Sequence, residues 1–279
     1  MTEKEECWDY SDSDLPLSWE KFVEQFSKCS WAEKTKIFRG HANGTYLLEP
    51  TLRRICKREK LEEDQIHHVE RRIFEEFKYL GHNYYNVDLT GGGKAWPRHF
   101  EALGWIQHYG GPTRCLDFSW SPFVAAFFAM EEPPVNNDGI DPSIIEITVK
   151  PKEELLGWEN LELTWKQWKG VFQPDAYKTD EKYKPPRNDY FWAIPRKLHD
   201  RFARQQGVLF VPVNIKESTH TLLLKQDIKR YRLSLKDRLN FLSGLRQMNI
   251  TRESLFEGTD AWAKSLQRCA WEIKKGTVI

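Results

Sequence analysis

The chain has 279 residues, 42 of them Lys or Arg and 41 Asp or Glu, which leaves a net charge of +1. Such a balance excludes a global field that would draw the protein onto nucleic acid or an anionic membrane, and the length suits one large domain or two small ones with a substantial core. Twelve Trp and 16 Phe argue for a folded, aromatic-lined protein. The five cysteines, Cys7, Cys29, Cys56, Cys115 and Cys269, are scattered, odd in number and free of C-x-x-C or Cys/His ligand spacing. That pattern points to a reducing compartment and away from structural zinc. No stretch approaches the roughly 18 apolar residues of a membrane span, so the expectation is a soluble, cytoplasmic protein without a membrane partner.

Residues 1–17 read as an acidic, polar tail. SWEKFVEQFSKCS follows as a helix capped by Ser18, with Trp19, Phe22, Val23 and Phe26 at helical spacing. Ile37 and Phe38 predict a strand ending at Arg39-Gly40. An Arg at a strand end, beside a Gly that admits another backbone or a ligand, suits an anion ligand or a partner for a core carboxylate such as Asp117. LEEDQIHHVERRIFEEFKYLGH is the clearest helix, with Ile66, Val69, Ile73, Phe77 and Leu80 on one face. His67 and His68 are adjacent, so one helical face cannot aim both at a metal. Thr90-Gly-Gly-Gly-Lys94 lacks the spacing of a phosphate-binding loop. RHFEALGWIQHYGG predicts a further helix that delivers Gln107 and His108 to the central stretch.

That stretch, His108 to Met130, places Arg114, Asp117, Ser119 and Ser121 within some of the most apolar sequence in the chain. Thr113 to Phe118 reads as a strand, Ser121 as an N-cap and Pro122 as the first residue of a buried helix. Unpaired N–H groups and hydroxyls meeting at one spot suit a phosphate or carboxylate, and they equally serve to close a turn. Arg114 and Asp117 are expected to form an internal salt bridge. Cys115, between apolar neighbours, is expected to be a structural thiol rather than a nucleophile.

Beyond an acidic loop, SIIEITVK alternates as a strand, and residues 151–190 suggest an irregular insertion rich in Trp, Lys and Pro. A helix from Pro195 to Gln206 stops at Gly207 before the strand Val208 to Val213, with Arg201, Arg204, Gln205 and Gln206 at the junction. THTLLLK and DIKRYRL read as two more strands, and Lys236 to Met248 and Asp260 to Lys274 as closing helices. Strands and helices without regular βαβ alternation predict an α+β fold, with residues 18–275 as a single domain.

Phe38-Arg39-Gly40, Leu48-x-Pro50-x-x-x-Arg54, Gln107-His108-Tyr109-Gly110 and Pro112-Thr113-Arg114-x-Leu116-Asp117-Phe118-Ser119-x-Ser121-Pro122 resemble the FRG domain, as do Arg204-Gln205-Gln206-Gly207-x-Leu209-Phe210 and the Ile250-to-Phe256 stretch. A more distant resemblance joins the chain to ADP-ribosyltransferases of the Arg–Ser–Glu type. Arg39 resembles their dinucleotide-holding Arg, and Ser119-Trp120-Ser121-Pro122 their ribose-bracing strand end. Gln205-Gln206-Gly207 stands where their Glu is expected, and no Glu occurs there. This resemblance implies a split mixed sheet with flanking helices. It also implies a cleft for NAD or a related nucleotide lined by Arg39, Gly40, His108, Ser119, Ser121 and Gln206, with Arg39, Ser119 and Gln206 as the catalytic candidates.

Glutamine cannot supply the negative charge that favours an oxocarbenium-like transition state, though it can hydrogen-bond a ribose; Asp117 or Glu101 could supply that charge instead. Two functions are open, the first implied by the resemblance and the second by the missing Glu and the composition of one segment. One is nucleotide binding with ADP-ribosyltransferase or NAD glycohydrolase turnover, in a toxin or anti-phage effector acting on a protein or nucleic-acid target. The other is a non-catalytic module that recognises nucleic acid or protein, for which the aromatic and basic segment Trp165 to Lys184 would supply stacking and backbone neutralisation.

Overall fold

The computed structural model describes residues 15–27, 36–80, 97–132, 139–149, 155–156, 189–194, 200–256, 258–266 and 269. Most of the N-terminal tail, the glycine-rich stretch 90–94, most of the insertion, the start of the Pro195 helix and the end of the last one lie outside them. Seven strands form one sheet in the order β4-β5-β6-β2-β1-β3-β7. They are β1 (Lys36–His41), β2 (Leu116–Ser119), β3 (Ser143–Thr148), β4 (Leu155–Leu156), β5 (Tyr190–Ala193), β6 (Gly207–Pro212) and β7 (Ile228–Arg232). Among the described residues, only the short edge pair β4–β5 is parallel; from β5 to β7 every neighbouring pair of the sheet is antiparallel. The α+β class therefore stands, with a sheet less mixed than expected.

Alternation along the strands divides the core. Phe38 and Ile144 pack with α1 (Trp19–Phe26), α5 (Pro122–Met130) and α8 (Arg238–Gln247), whereas Ile37, Ile145 and Ile147 pack with Leu48, Phe118, Trp192 and Phe210 on the opposite face. Covered from both sides, β3 is buried along nearly its whole length. A third cluster joins Leu103 of α4 (Pro97–His108) to Leu209 and Val211 of β6 and to Phe74 of α3 (Ile66–Leu80).

The helix α5 sits against β1 because small residues face it. Ala125, Ala126 and Ala129 are buried, and a Cβ added to Gly40 would lie 1.9 Å from the Ala125 carbonyl oxygen and 2.8 Å from the Ala129 nitrogen. Ser121 caps this helix by accepting the Val124 N–H at 3.3 Å, as expected. Its C-terminal carbonyls, at Met130 and Glu131, take Arg238 Nε and Nη2 at 2.6 Å each, a cation where the helix dipole favours one.

Several boundaries differ from the sequence reading. THTLLLK is not a strand but the helix α7 (Thr219–Leu224): Ser218 Oγ accepts the Thr221 N–H at 3.3 Å, and Leu222 and Leu223 are buried beneath the sheet. A cap and a pair of core leucines outweigh the β preference of its threonines. The central strand starts at Leu116 rather than Thr113, since the Thr113 carbonyl accepts Leu52 N at 3.2 Å and its hydroxyl accepts Cys115 N at 3.1 Å. Those bonds tie the segment to α2 (Thr51–Arg58) instead of the ladder. The stretch between the closing helices contains α9 (Arg252–Leu255), with a Thr251–Ser254 capping box, and is followed by α10 (Thr259–Ser265). Among the described residues, no helix is long and apolar enough to cross a membrane and no group of three His, Cys, Asp or Glu side chains could hold a metal.

Candidate functional site

The sheet opens where β1 meets β2. β1 pairs with β3 at six positions but with β2 at one, Phe38↔Ser119. Arg39 stands at that divergence. Its Nη1 donates to the Asp117 carbonyl at 2.7 Å and its Nε to His41 Nε2 at 3.1 Å. Two of the five guanidinium donors are thereby used, and among the described residues Nη2 has no partner. Burial pulls the Arg39 pKa below the ordinary arginine value; the Asp117 carboxylate opposes this and Arg54 adds to it.

Accepting from Arg39 requires His41 to be neutral at Nε2. Burial and then the Arg39 charge hold its pKa well below the usual histidine range, against some help from the Tyr46 main chain. His41 was not foreseen as part of the site, yet the alternation of Ile37, Arg39 and His41 along one strand puts all three on one face. Arg54 of α2 is exposed, bonds the Thr51 hydroxyl at 2.9 Å, and acts electrostatically on both Arg39 and His41.

Asp117 faces the same opening. Its Oδ2 accepts Gln107 Nε2 at 2.6 Å, and Gln107 Oε1 in turn accepts the Thr113 hydroxyl. Solvent reaches Asp117, but the enclosing protein desolvates its carboxyl enough to raise its pKa, opposed first by Arg39 and then by Gln107 and Arg201. Arg201, on α6 (Asp200–Arg204), donates from Nη1 to the His108 carbonyl at 2.5 Å and lies 4.3 Å above the Phe256 ring, whose ring also carries Arg252 at 4.9 Å. Burial lowers the Arg201 pKa, and Asp117 counters this.

The expected Arg114–Asp117 bridge is absent. Arg114 turns instead into the core, where Nε donates to Glu70 Oε1 at 2.6 Å and Nη2 to Glu70 Oε2, while Nη1 bonds the Pro212 and Val213 carbonyls at 3.2 and 3.0 Å. Arg114 precedes the ladder and reaches Glu70 of α3, whereas Asp117 lies within β2 beside Gln107.

The three catalytic candidates stand at or beside one register line of the sheet. Ser119 pairs with Phe38 on one side and Gly207 on the other, so Arg39, Ser119 and Gln206 lie within one residue of a single line across three adjacent strands. Their side chains are differently engaged. Ser119 Oγ donates to the Gln205 carbonyl at 2.7 Å and accepts the Ser121 N–H at 3.0 Å, and Ser121 Oγ is the cap of α5. Both hydroxyls therefore brace the strand-to-helix turn. Gln206 has a left-handed φ of +49°, its carbonyl accepts Trp120 N at 3.0 Å, and its buried Oε1 has no hydrogen-bond partner among the described residues. Gln205 points away, donating to the Leu255 carbonyl at 3.1 Å.

Gly40 admits the α5 backbone, one of the two close approaches that its place in the sequence allowed. His108 enters through its carbonyl, which holds Arg201, and its ring lies 4.6 Å from that of Tyr109. Cys115 is buried and its pKa is pushed up to about 12, first by desolvation and then by Asp117, which makes it a poor nucleophile. The side chain of Glu101 lies outside the described residues.

Neither a curated protein nor a solved structure is significantly similar to the chain. The family model described as the FRG domain matches residues 34–138, a span that holds Arg39, Gly40, Arg54, Gln107, His108, Asp117, Ser119 and Ser121 and ends before Arg201 and Gln206. Over residues 34–138, then, the protein carries an FRG domain.

Proposed function

We propose that the opening between β1 and β2 binds a nucleotide of the NAD type, with ADP-ribosyltransferase or NAD glycohydrolase turnover as its activity. The observation that carries this reading is the Arg39 guanidinium, held at the divergence by two hydrogen bonds with its Nη2 edge unclaimed among the described residues. Arg54 and Arg201 add positive charge from α2 and α6, and guanidinium groups of this kind take phosphate oxygens through paired N–H donors. Asp117 offers the negative charge that Gln206 lacks, and the buried Gln206 amide oxygen has no hydrogen-bond partner among the described residues. A transferase of this design would modify a protein or nucleic acid of the cell or of an invader, and in that sense the role of a toxin or anti-phage effector belongs to the proposal.

The test is incubation with NAD labelled on the adenine side, in a lysate containing protein and nucleic acid, beside Arg39→Ala. Free nicotinamide or labelled macromolecule, absent with the variant, is the expected result. NAD-dependent protection against heat that is lost in Arg39→Ala, without turnover, would reduce the function to nucleotide binding. Neither signal would transfer the assignment to a non-catalytic recognition module.

A further inference from the structure

The opening at β1 and β2 contains an arrangement that a simple anion site does not need. Arg39, Arg54 and Arg201 bring positive charge to it from three separate elements, yet Asp117 stands among them with its carboxylate reachable by solvent. A carboxylate repels phosphate. It is also fixed in orientation: Thr113 Oγ1 accepts the Cys115 N–H, so its proton goes to Gln107 Oε1, and this leaves the Gln107 amide nitrogen to face Asp117 Oδ2. Among the described residues, Asp117 Oδ1 has no hydrogen-bond partner. An ionised carboxylate only accepts hydrogen bonds, so the ligand must present a donor there, and three guanidiniums disfavour a cationic one.

We infer that Asp117, positioned by Gln107 and Thr113, receives a hydroxyl of a phosphorylated ribose whose phosphates lie against Arg39 and its neighbouring arginines. The ligand class is thus a ribose ester of pyrophosphate, in which neutral donors and anionic oxygens sit on one small molecule. The inference rests on the nucleotide-binding reading above and adds the group that distinguishes a sugar phosphate from phosphate alone. Asp117 touches the ligand in this scheme. Gln107 is a positioning residue, acting through the carboxylate it orients.

Calorimetric titration of the full chain with ADP-ribose and with inorganic pyrophosphate tests this. Asp117→Asn is expected to weaken ADP-ribose binding by about tenfold or more, the worth of a hydrogen bond to a charged acceptor, while pyrophosphate binding is kept or strengthened as the repulsion is removed. Gln107→Ala provides an independent readout in the pH profile. The charged groups facing Asp117 are Arg39 from β1 and Arg201 from α6, with the Gln107 amide from α4 and the Cys115 thiol just before β2. Removing the amide donor makes the carboxylate easier to protonate, so ADP-ribose binding should fail at a higher pH on acidification than in the wild type. Equal weakening of both ligands in Asp117→Asn, or of neither, overturns the inference and leaves the anion site standing. Wild-type protein that binds neither ligand overturns the nucleotide reading and this inference with it.

Discussion

At the scale of single residues, glycine 40 shows how closely site and core share material. Its missing side chain lets the α5 backbone approach to a distance at which any Cβ would overlap the Ala125 carbonyl, 1.9 Å away. This oxygen and the Ala129 nitrogen, 2.8 Å away, are main-chain atoms, so no rotamer change relieves them. Gly40→Ala is expected to cost about 3 kcal/mol or more, at the upper end of overpacking effects, measured as a shift of the urea midpoint at constant slope. Because Gly40 lies between Arg39 and His41, the strain should also disturb the Nε-to-Nε2 bond they share. A variant as stable as the wild type would mean that α5 does not seat on β1 as described.

Among elements, the buried Arg114–Glu70 pair joins the β2 approach to α3, the two side chains being 0% and 4% exposed. Removing one partner strands a charge in the core, whereas removing both does not. Glu70→Gln is therefore expected to destabilise the fold by about 3–5 kcal/mol, and Arg114→Met combined with Glu70→Leu to recover most of that loss in equilibrium unfolding. An additive double variant would refute the pairing.

This pair also marks the limit of what the chain discloses unaided. Ser18 and Ser121 as caps, α3 and α5 as helices, and β1, β3 and β7 as strands were legible, because local capping and periodicity decide them. The places of Arg39, Ser119 and Gln206 at strand ends put them near one register line of the sheet. Glu70 as the partner of Arg114 is 44 residues distant, and one more charge on a helix face rich in charge carries no local sign of burial. The helix α7 was missed because its leucines fit a strand until Ser218 and the core beneath are seen. His41 could have been placed beside Arg39 by strand alternation, whereas the turning of the Ser119 hydroxyl to the Gln205 carbonyl depends on tertiary geometry alone.

In the molecule as a whole, 42 basic and 41 acidic residues nearly cancel near neutrality, so buried titrating groups rather than net repulsion should govern stability on mild acidification. His41 and the half-buried His67 both lie below the ordinary histidine range, chiefly through desolvation. As the pH falls through the unfolded histidine value of about 6.5, the unfolded chain takes up protons that the folded one refuses. Their contribution is complete above that value and is lost below it, at up to about 1.4 kcal/mol per pH unit and per histidine. Asp117, Glu49 and Glu131 act in the opposite sense. Burial raises each, so the folded protein binds protons first and recovers stability as the pH falls through those raised values toward the unfolded carboxyl value of about 4. Protonation of His41 would also convert Nε2 from acceptor to donor, ending its bond from Arg39 and setting two cations side by side. Unfolding by guanidinium at pH 7.5, 6.5 and 5.5 should thus show wild-type stability declining below about pH 6.5. In His41→Gln, whose amide oxygen can still accept from Arg39, the decline should be markedly shallower. Equal slopes in the two proteins would show that His41 is free to ionise in the folded state, and would remove the neutral histidine from beneath Arg39.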